Sequence, residues 1–292
     1  MSIYENALEL KNVAKHYDDF MLNHISFHVP KGSIMGFIGQ NGAGKTTTIR
    51  SLLNITKIDE GEITLLGLDH VKDEKAIKQR ISVVFDELPF HDMFNAKDMA
   101  KIFEGMYPQW DHALYSQYLE RFKLPQKKKI GQFSKGMKMK LQIACALSHN
   151  AELLVMDEAT TGLDPIVRDE ILHIFMEYLQ DGERSILMSS HITSDLEKIA
   201  DSVTFIDRGK ILLSGYKDEI LETHGILKCG KEELAGIDAA DIVSVRTNKY
   251  GAEVMVHDRE AASYKYSGAI IDPVSLDDVM LFYVHKDAKE WS

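Results

Sequence analysis

The chain has 292 residues, with 45 Asp and Glu against 34 Lys and Arg, a formal net charge of −11 and 45% hydrophobic residues. That is enough apolar material for one large domain, or for a domain with a smaller appendage, and the acidic balance argues against a nucleic-acid footprint over the whole surface. Cys145 and Cys229 lie far apart with no CxxC pair, which suggests neither a zinc site nor a disulfide framework. The start "MSIYENALELKN" lacks a secretory pattern, and no apolar run approaches the roughly 18 residues of a spanning helix, so the chain is expected neither to enter nor to cross a membrane by itself.

In chain order, "ALELKNV" and "NHISFHV" read as strands, the second with Ile25, Phe27 and Val29 on one face, and "SIMGFIG" as a more fully buried strand. Their short links imply an antiparallel portion. After Gly44 a helix runs through Ile49, Leu52 and Leu53. Apolar strands follow at "EITLLG", "ISVVF", "LLVM", "SILMSS" and "SVTFID", mostly with helical patterns between them, the order of an α/β fold with a largely parallel sheet. Residues 96 to 149 hold three successive helical patterns, "AKDMAKIFEGMY", "HALYSQYLERFK" and "KGMKMKLQIACALSHN", which predict an inserted helical subdomain over about residues 87–150. From about residue 225 a hairpin is expected from "IVSVRT" and "AEVMVH", and a last amphipathic helix from "SLDDVMLFYVHK". The division is a main domain over 1–218 and a small α+β accessory region over 219–292.

Chemistry begins at "GQNGAGKT", Gly39 to Thr46, which fits G-x-x-x-x-G-K-[ST] between a buried strand and a helix. Glycines let backbone N–H groups wrap phosphate oxygens without Cβ clashes, and the helix N-terminus adds its dipole. Lys45 then supplies a charge to the β and γ phosphates, the Thr46 hydroxyl can ligate Mg²⁺, and Thr47 is a further phosphate donor. In "LLVMDEATTGLDP" a buried strand runs into two acids. Bare buried carboxylates are costly unless a cation or a reaction needs them. Asp157 takes the strand-end position of the Mg²⁺ acid in P-loop NTPases, and Glu158 that of a base for the attacking water. This makes the expected fold a P-loop NTPase, with ATP and Mg²⁺ as cofactors.

With these motifs in this order, the chain resembles the ATP-binding cassette (ABC) ATPases, the nucleotide-binding subunits of bacterial ABC exporters, over about residues 7 to 218. "FSKGMKMKLQ" stands at the family's signature, "TTGLDP" looks like the D-loop with Asp164 as its acid, and "SSH" puts His191 at the switch histidine. The resemblance implies a nucleotide contact through Tyr17 on adenine, the loop residues Gly39, Asn41, Gly42, Ala43, Gly44, Lys45, Thr46 and Thr47, and a second phosphate site at Ser134 and Gly136. Ser134 also reads as an N-cap, whose helix offers free N–H groups to an anion. One ATP needs one such site, and the resemblance accounts for the second by pairing two chains head to tail. Tyr17 is open to a second reading, a strand-end aromatic.

The departures are Lys135 and Met137 in the signature, Ala159 in place of a usual Pro, and Asp86 where the family carries a glutamine. A carboxylate near ATP needs a cation, so Asp86 is expected to approach Mg²⁺ once ATP closes the site, the alternative being that Asp86 points into solvent and a neighbour such as Glu87 takes the role. The segment holding Phe90, Met93, Phe94, Met99 and Met106 is expected to supply the helical subdomain's core and, by resemblance, to border a groove for a helix of a membrane subunit. The resemblance implies an ATP-hydrolysing motor subunit that is cytoplasmic, held on the inner face of the cell membrane through a separate transmembrane permease, and paired with a second copy or a related ATPase subunit. A soluble ABC ATPase of the iron–sulfur assembly type and a non-hydrolysing nucleotide-regulated module are the other readings; no nucleic-acid partner is expected.

Overall fold

In the computed structural model, which describes residues 4–86 and 90–286, the chain opens with β1 (Asn6–His16) and β2 (Met21–Pro30), paired antiparallel. Leu22, Ile25, Phe27 and Val29 of β2 are buried, as befits a sheet with one face on a core. β3 (Ile34–Ile38) is buried at every position and leads to α1 (Lys45–Leu52). β4 (Glu60–Leu65) and the two-residue β5 (Leu68–Asp69) complete an antiparallel sheet of order β2-β1-β4-β5.

α2 (Glu74–Arg80) enters β6 (Ile81–Phe85). The predicted insertion follows as α3 (Ala96–Met106), α4 (His112–Arg121) and α5 (Lys135–Leu147). α3 starts at a capping box between Asn95 and Asp98, which satisfies orphan N–H groups of its first turn; Asp111 and Ser134 cap the other two. Then β7 (Leu153–Asp157), α6 (Pro165–Tyr178), β8 (Ser185–Ser190), α7 (Thr193–Ile199) and β9 (Ser202–Asp207) alternate, and β10 (Lys210–Tyr216) turns back antiparallel to β9.

The central sheet has the order β10-β9-β3-β8-β7-β6 and is parallel apart from the β9–β10 pair. Phe85, Asp157 and Ser189 are register neighbours at its C-terminal end, the edge at which open α/β sheets bind ligands. Alternation along the strands divides the core between the two faces. Val84, Leu154, Met156, Ile186 and Met188 pack toward the helical insertion and α6, while Leu153, Val155 and Leu187 pack toward α1 and the antiparallel sheet.

The C-terminal part runs α8 (Lys217–Thr223), β11 (Gly225–Cys229), β12 (Ile242–Thr247), β13 (Ala252–Val256), α9 (Arg259–Lys265), β14 (Ile270–Pro273) and α10 (Leu276–Val284). The expected hairpin is β12–β13 and the expected helix is α10. β11 and β14 join them in a sheet of order β12-β13-β11-β14; they have five and four residues, too short to show a period. One face of this sheet belongs to the main core, because Ile226, Val243, Met255, Leu276, Val279 and Phe282 share a cluster with Ile186 and Met188. The other face has a small core of its own around Leu227, Val254 and Val256. α10 is also tied to α7: Thr193 Oγ1 donates to Asp277 Oδ1 at 2.9 Å, and the Leu276 N–H to Glu197 Oε1 at 2.6 Å.

Candidate nucleotide site

The loop between β3 and α1 starts pressed against the backbone of β9. A Cβ on Gly39 would lie 2.5 Å from the Ile206 carbonyl oxygen, and Gly42 and Gly44 have φ of 81° and 117°, values that L side chains rarely adopt. Gly44 begins α1, and no side chain caps that helix, so its first-turn N–H groups are free to meet an anion. Ala43 is buried, whereas Asn41, Gly42 and Thr46 are exposed and Thr47 is half-buried. The loop walls a cleft of about 690 Å³ lined by Tyr17, Asn41, Gly44, Lys45, Thr46 and Glu158, among others. Tyr17 is 48% exposed, with its ring 6.5 Å from that of Phe20.

Lys45 is buried to 5% exposure. Its ammonium donates to the Gly39 carbonyl at 2.6 Å and the Gln40 carbonyl at 3.2 Å, and pairs with Glu158 Oε1 at 3.0 Å. Glu158 reaches it because the chain leaves β7 with Glu158 in the left-handed region, φ 54°, while its N–H donates to the Ser189 carbonyl at 3.2 Å. The other carboxylate oxygen, Oε2, accepts from Thr161 Oγ1 at 2.8 Å and contacts His191 Nδ1 at 2.6 Å. Burial pushes the Glu158 carboxyl up, but hydrogen bonds from Thr161, Lys45 and His191 outweigh it and hold the group below its ordinary range. Asp157, 7% exposed, accepts from Ser189 Oγ at 2.8 Å. Thr161 and Ser189 were given no role in the sequence reading, although both lie within its motifs, "TTGLDP" and "SSH".

The second expected phosphate site stands apart on the helical insertion. Ser134 caps α5, its Oγ accepting from the Met137 N–H at 3.2 Å, and Gly136 faces Val167 of α6. Asp164 is the N-cap of α6, accepting from the Ile166 and Val167 N–H groups at 3.2 and 3.0 Å. Asp86 lies beside Lys135, whose Nζ is 2.7 Å from Oδ1. Its alternative, Glu87, lies outside the described residues. Among the apolar residues of that segment, Met99 is core, Phe90 is half-buried, and Met93, Phe94 and Met106 are exposed.

A glycine loop on a central parallel strand, with its lysine against a carboxylate just beyond the end of β7, two places along the same sheet, defines a P-loop nucleotide hydrolase. Residues 22–161 match the family described as ABC transporter. The chain is 35% identical over 205 residues to the ABC transporter ATP-binding protein NatA of Bacillus subtilis, covering 68% of this chain and 83% of that one. It is 32% identical over 294 residues to the Nod factor export ATP-binding protein I of Burkholderia thailandensis, covering 94% and 95%. A solved ATP-binding subunit of an ABC transporter superposes with a TM-score of 0.68 at 26% identity, over 73% of this chain and 91% of that one. The chain belongs to the ATP-binding subunits of ABC transporters, ATPases that dimerise and act with a separate membrane permease.

Proposed function

We propose that this chain is the motor of an exporter, with ATP phosphates in the Gly39–Thr47 loop, adenine on Tyr17, and Mg²⁺ held by Thr46 and Asp157. The observation that carries the reading is the contact line from Lys45 through Glu158 to His191. Phosphates entering the loop compete with Glu158 for the Lys45 ammonium, and the released carboxylate is then free to take a proton from the attacking water while His191 holds its other oxygen. The hydroxyl of Thr46 and the carboxylate of Asp157 are oxygen donors of the kind Mg²⁺ prefers; bound there, the ion would neutralise charge across the β and γ phosphates.

Ser134, Gly136 and the α5 N-terminus act on the ATP of the opposing chain in this reading. Ile166, 80% exposed at the start of α6, suits burial against such a partner. A second cleft of about 690 Å³, lined by Ile55, Phe85, Phe90, Phe103, Met106 and Tyr107 among others, has the apolar character of a groove for a permease helix, which would hold the chain on the inner face of the membrane. Among the described residues no helix is long and apolar enough to cross a membrane. The likeness to a Nod factor export protein favours export, and the engaged Glu158 and His191 favour hydrolysis over a binding-only module.

Mixing a Lys45→Ala chain with a Ser134→Arg chain tests the shared site. One composite site then carries both defects and the other carries neither, so the mixture is expected to recover partial ATPase activity that each variant alone lacks. Mixtures that stay dead despite proven heterodimers would overturn the sharing.

A further inference from the structure

Two residues that set this chain apart from the family pattern, Asp86 and Lys135, touch each other. They are 49 positions apart and meet at 2.7 Å, one just beyond β6 and the other in the first turn of α5 beside Ser134. They are not what fastens these elements. Buried Gln142 does that, donating to the Phe85 carbonyl at 2.9 Å and accepting from the Phe85 N–H at 2.7 Å. The ion pair is exposed, with side chains 45% and 40% accessible, and pairs of this kind contribute little to stability. Its lysine also reaches toward the D-loop: a Cβ on Gly162 would lie 3.2 Å from the ammonium. A cation at this corner, loosely held and next to the α5 N-terminus, is positioned for exchange between partners.

We infer that Lys135 is a phosphate-positioning residue kept in reserve by Asp86: when two chains close on ATP, its ammonium leaves Asp86 for the polyphosphate bound by the opposing chain. This rests on the reading that the Ser134 site acts across a dimer. A polyphosphate carries several negative charges against one on Asp86, and a closed interface excludes the water that screens the exposed pair, so the exchange runs toward ATP once the chains meet. Asp86 thereby sets the threshold for closure, as an intramolecular competitor for the lysine.

The test uses the full chain carrying Glu158→Gln, so that hydrolysis does not consume the complex, and reads the ATP concentration for half-maximal dimerisation by analytical ultracentrifugation, with nucleotide binding measured in parallel. Lys135→Gln is expected to raise that concentration about ten-fold, the worth of one charge-assisted contact, while Asp86→Asn lowers it several-fold. The double variant is expected to behave as Lys135→Gln alone, and these shifts to persist in EDTA. The reversed pair, Asp86→Lys with Lys135→Asp, is expected to remain impaired, because it puts an acid against the phosphates. Equal losses in both single variants with rescue by the reversed pair would make the contact a strut and overturn the inference, as would unshifted dimerisation in Lys135→Gln or an Asp86 effect that vanishes in EDTA. A Glu158→Gln parent that binds ATP but never dimerises would remove the shared-site reading and this inference together; a parent that dimerises while Lys135→Gln is silent removes the inference alone.

Discussion

Replacing Glu158 by Gln should move ATP affinity and turnover in opposite directions. The side chain holds Lys45 at 3.0 Å, with the lysine 5% and the glutamate 16% exposed. An ion pair this sheltered contributes about 2 kcal/mol, against about 0–1 kcal/mol for an exposed one. Glutamine keeps a neutral acceptor but loses the charge, so roughly half of that hold is lost. Lys45 is then about 1 kcal/mol easier to transfer to phosphate, or about five-fold in affinity. The same change removes the base, which lowers turnover by about 10²- to 10⁴-fold. Calorimetric titration with ATP in EDTA reads the first effect, and phosphate release with Mg²⁺ the second. A folded variant that binds ATP more weakly than the parent would refute the competition between Glu158 and phosphate. Parental turnover would refute the assignment of the base.

Two further outcomes concern stability. His149, stacked on Tyr107 at 3.8 Å and hydrogen-bonded to Ser82, is pushed by burial from 6.5 down to about 4. A depressed folded-state value means that its contribution is present above pH 6.5 and lost as pH falls toward 4, about 3 kcal/mol in full; urea midpoints should fall over that window in the parent and fall less in His149→Phe, and parallel slopes would refute this. Phe282, fully buried in the cluster that joins α10 to the main core, should cost about 3–5 kcal/mol as Phe282→Ala. Because that core is shared, the loss should appear as an earlier single transition with ATP binding lost along it, whereas a separate early transition that spares ATP binding would show an independent appendage.

Features of this protein that depend on local backbone chemistry were legible in the sequence. A loop that wraps phosphate with its own N–H groups needs glycine at set places within a few residues, and a strand buried on both faces needs an unbroken apolar run, so "GQNGAGKT" and "LLVMDEATTGLDP" pointed to the candidate site, and the run of three helical patterns announced the insertion. The accessory region was half legible: its hairpin and last helix carry a period, but β11, β14 and the sharing of a core with the main domain do not, because strands this short acquire their meaning from what covers them. The partners of charged side chains were decided by tertiary structure alone. Nothing in the order of residues says that Lys45 rests on Glu158 or that Asp86 finds Lys135, since any ammonium can answer any carboxylate and only the folded backbone selects the pair. Asp86 makes the point most plainly: its charge was legible, but its meeting with Lys135 followed from the placement of α5 against the end of β6, which buried Gln142 and the apolar face of α5 enforce.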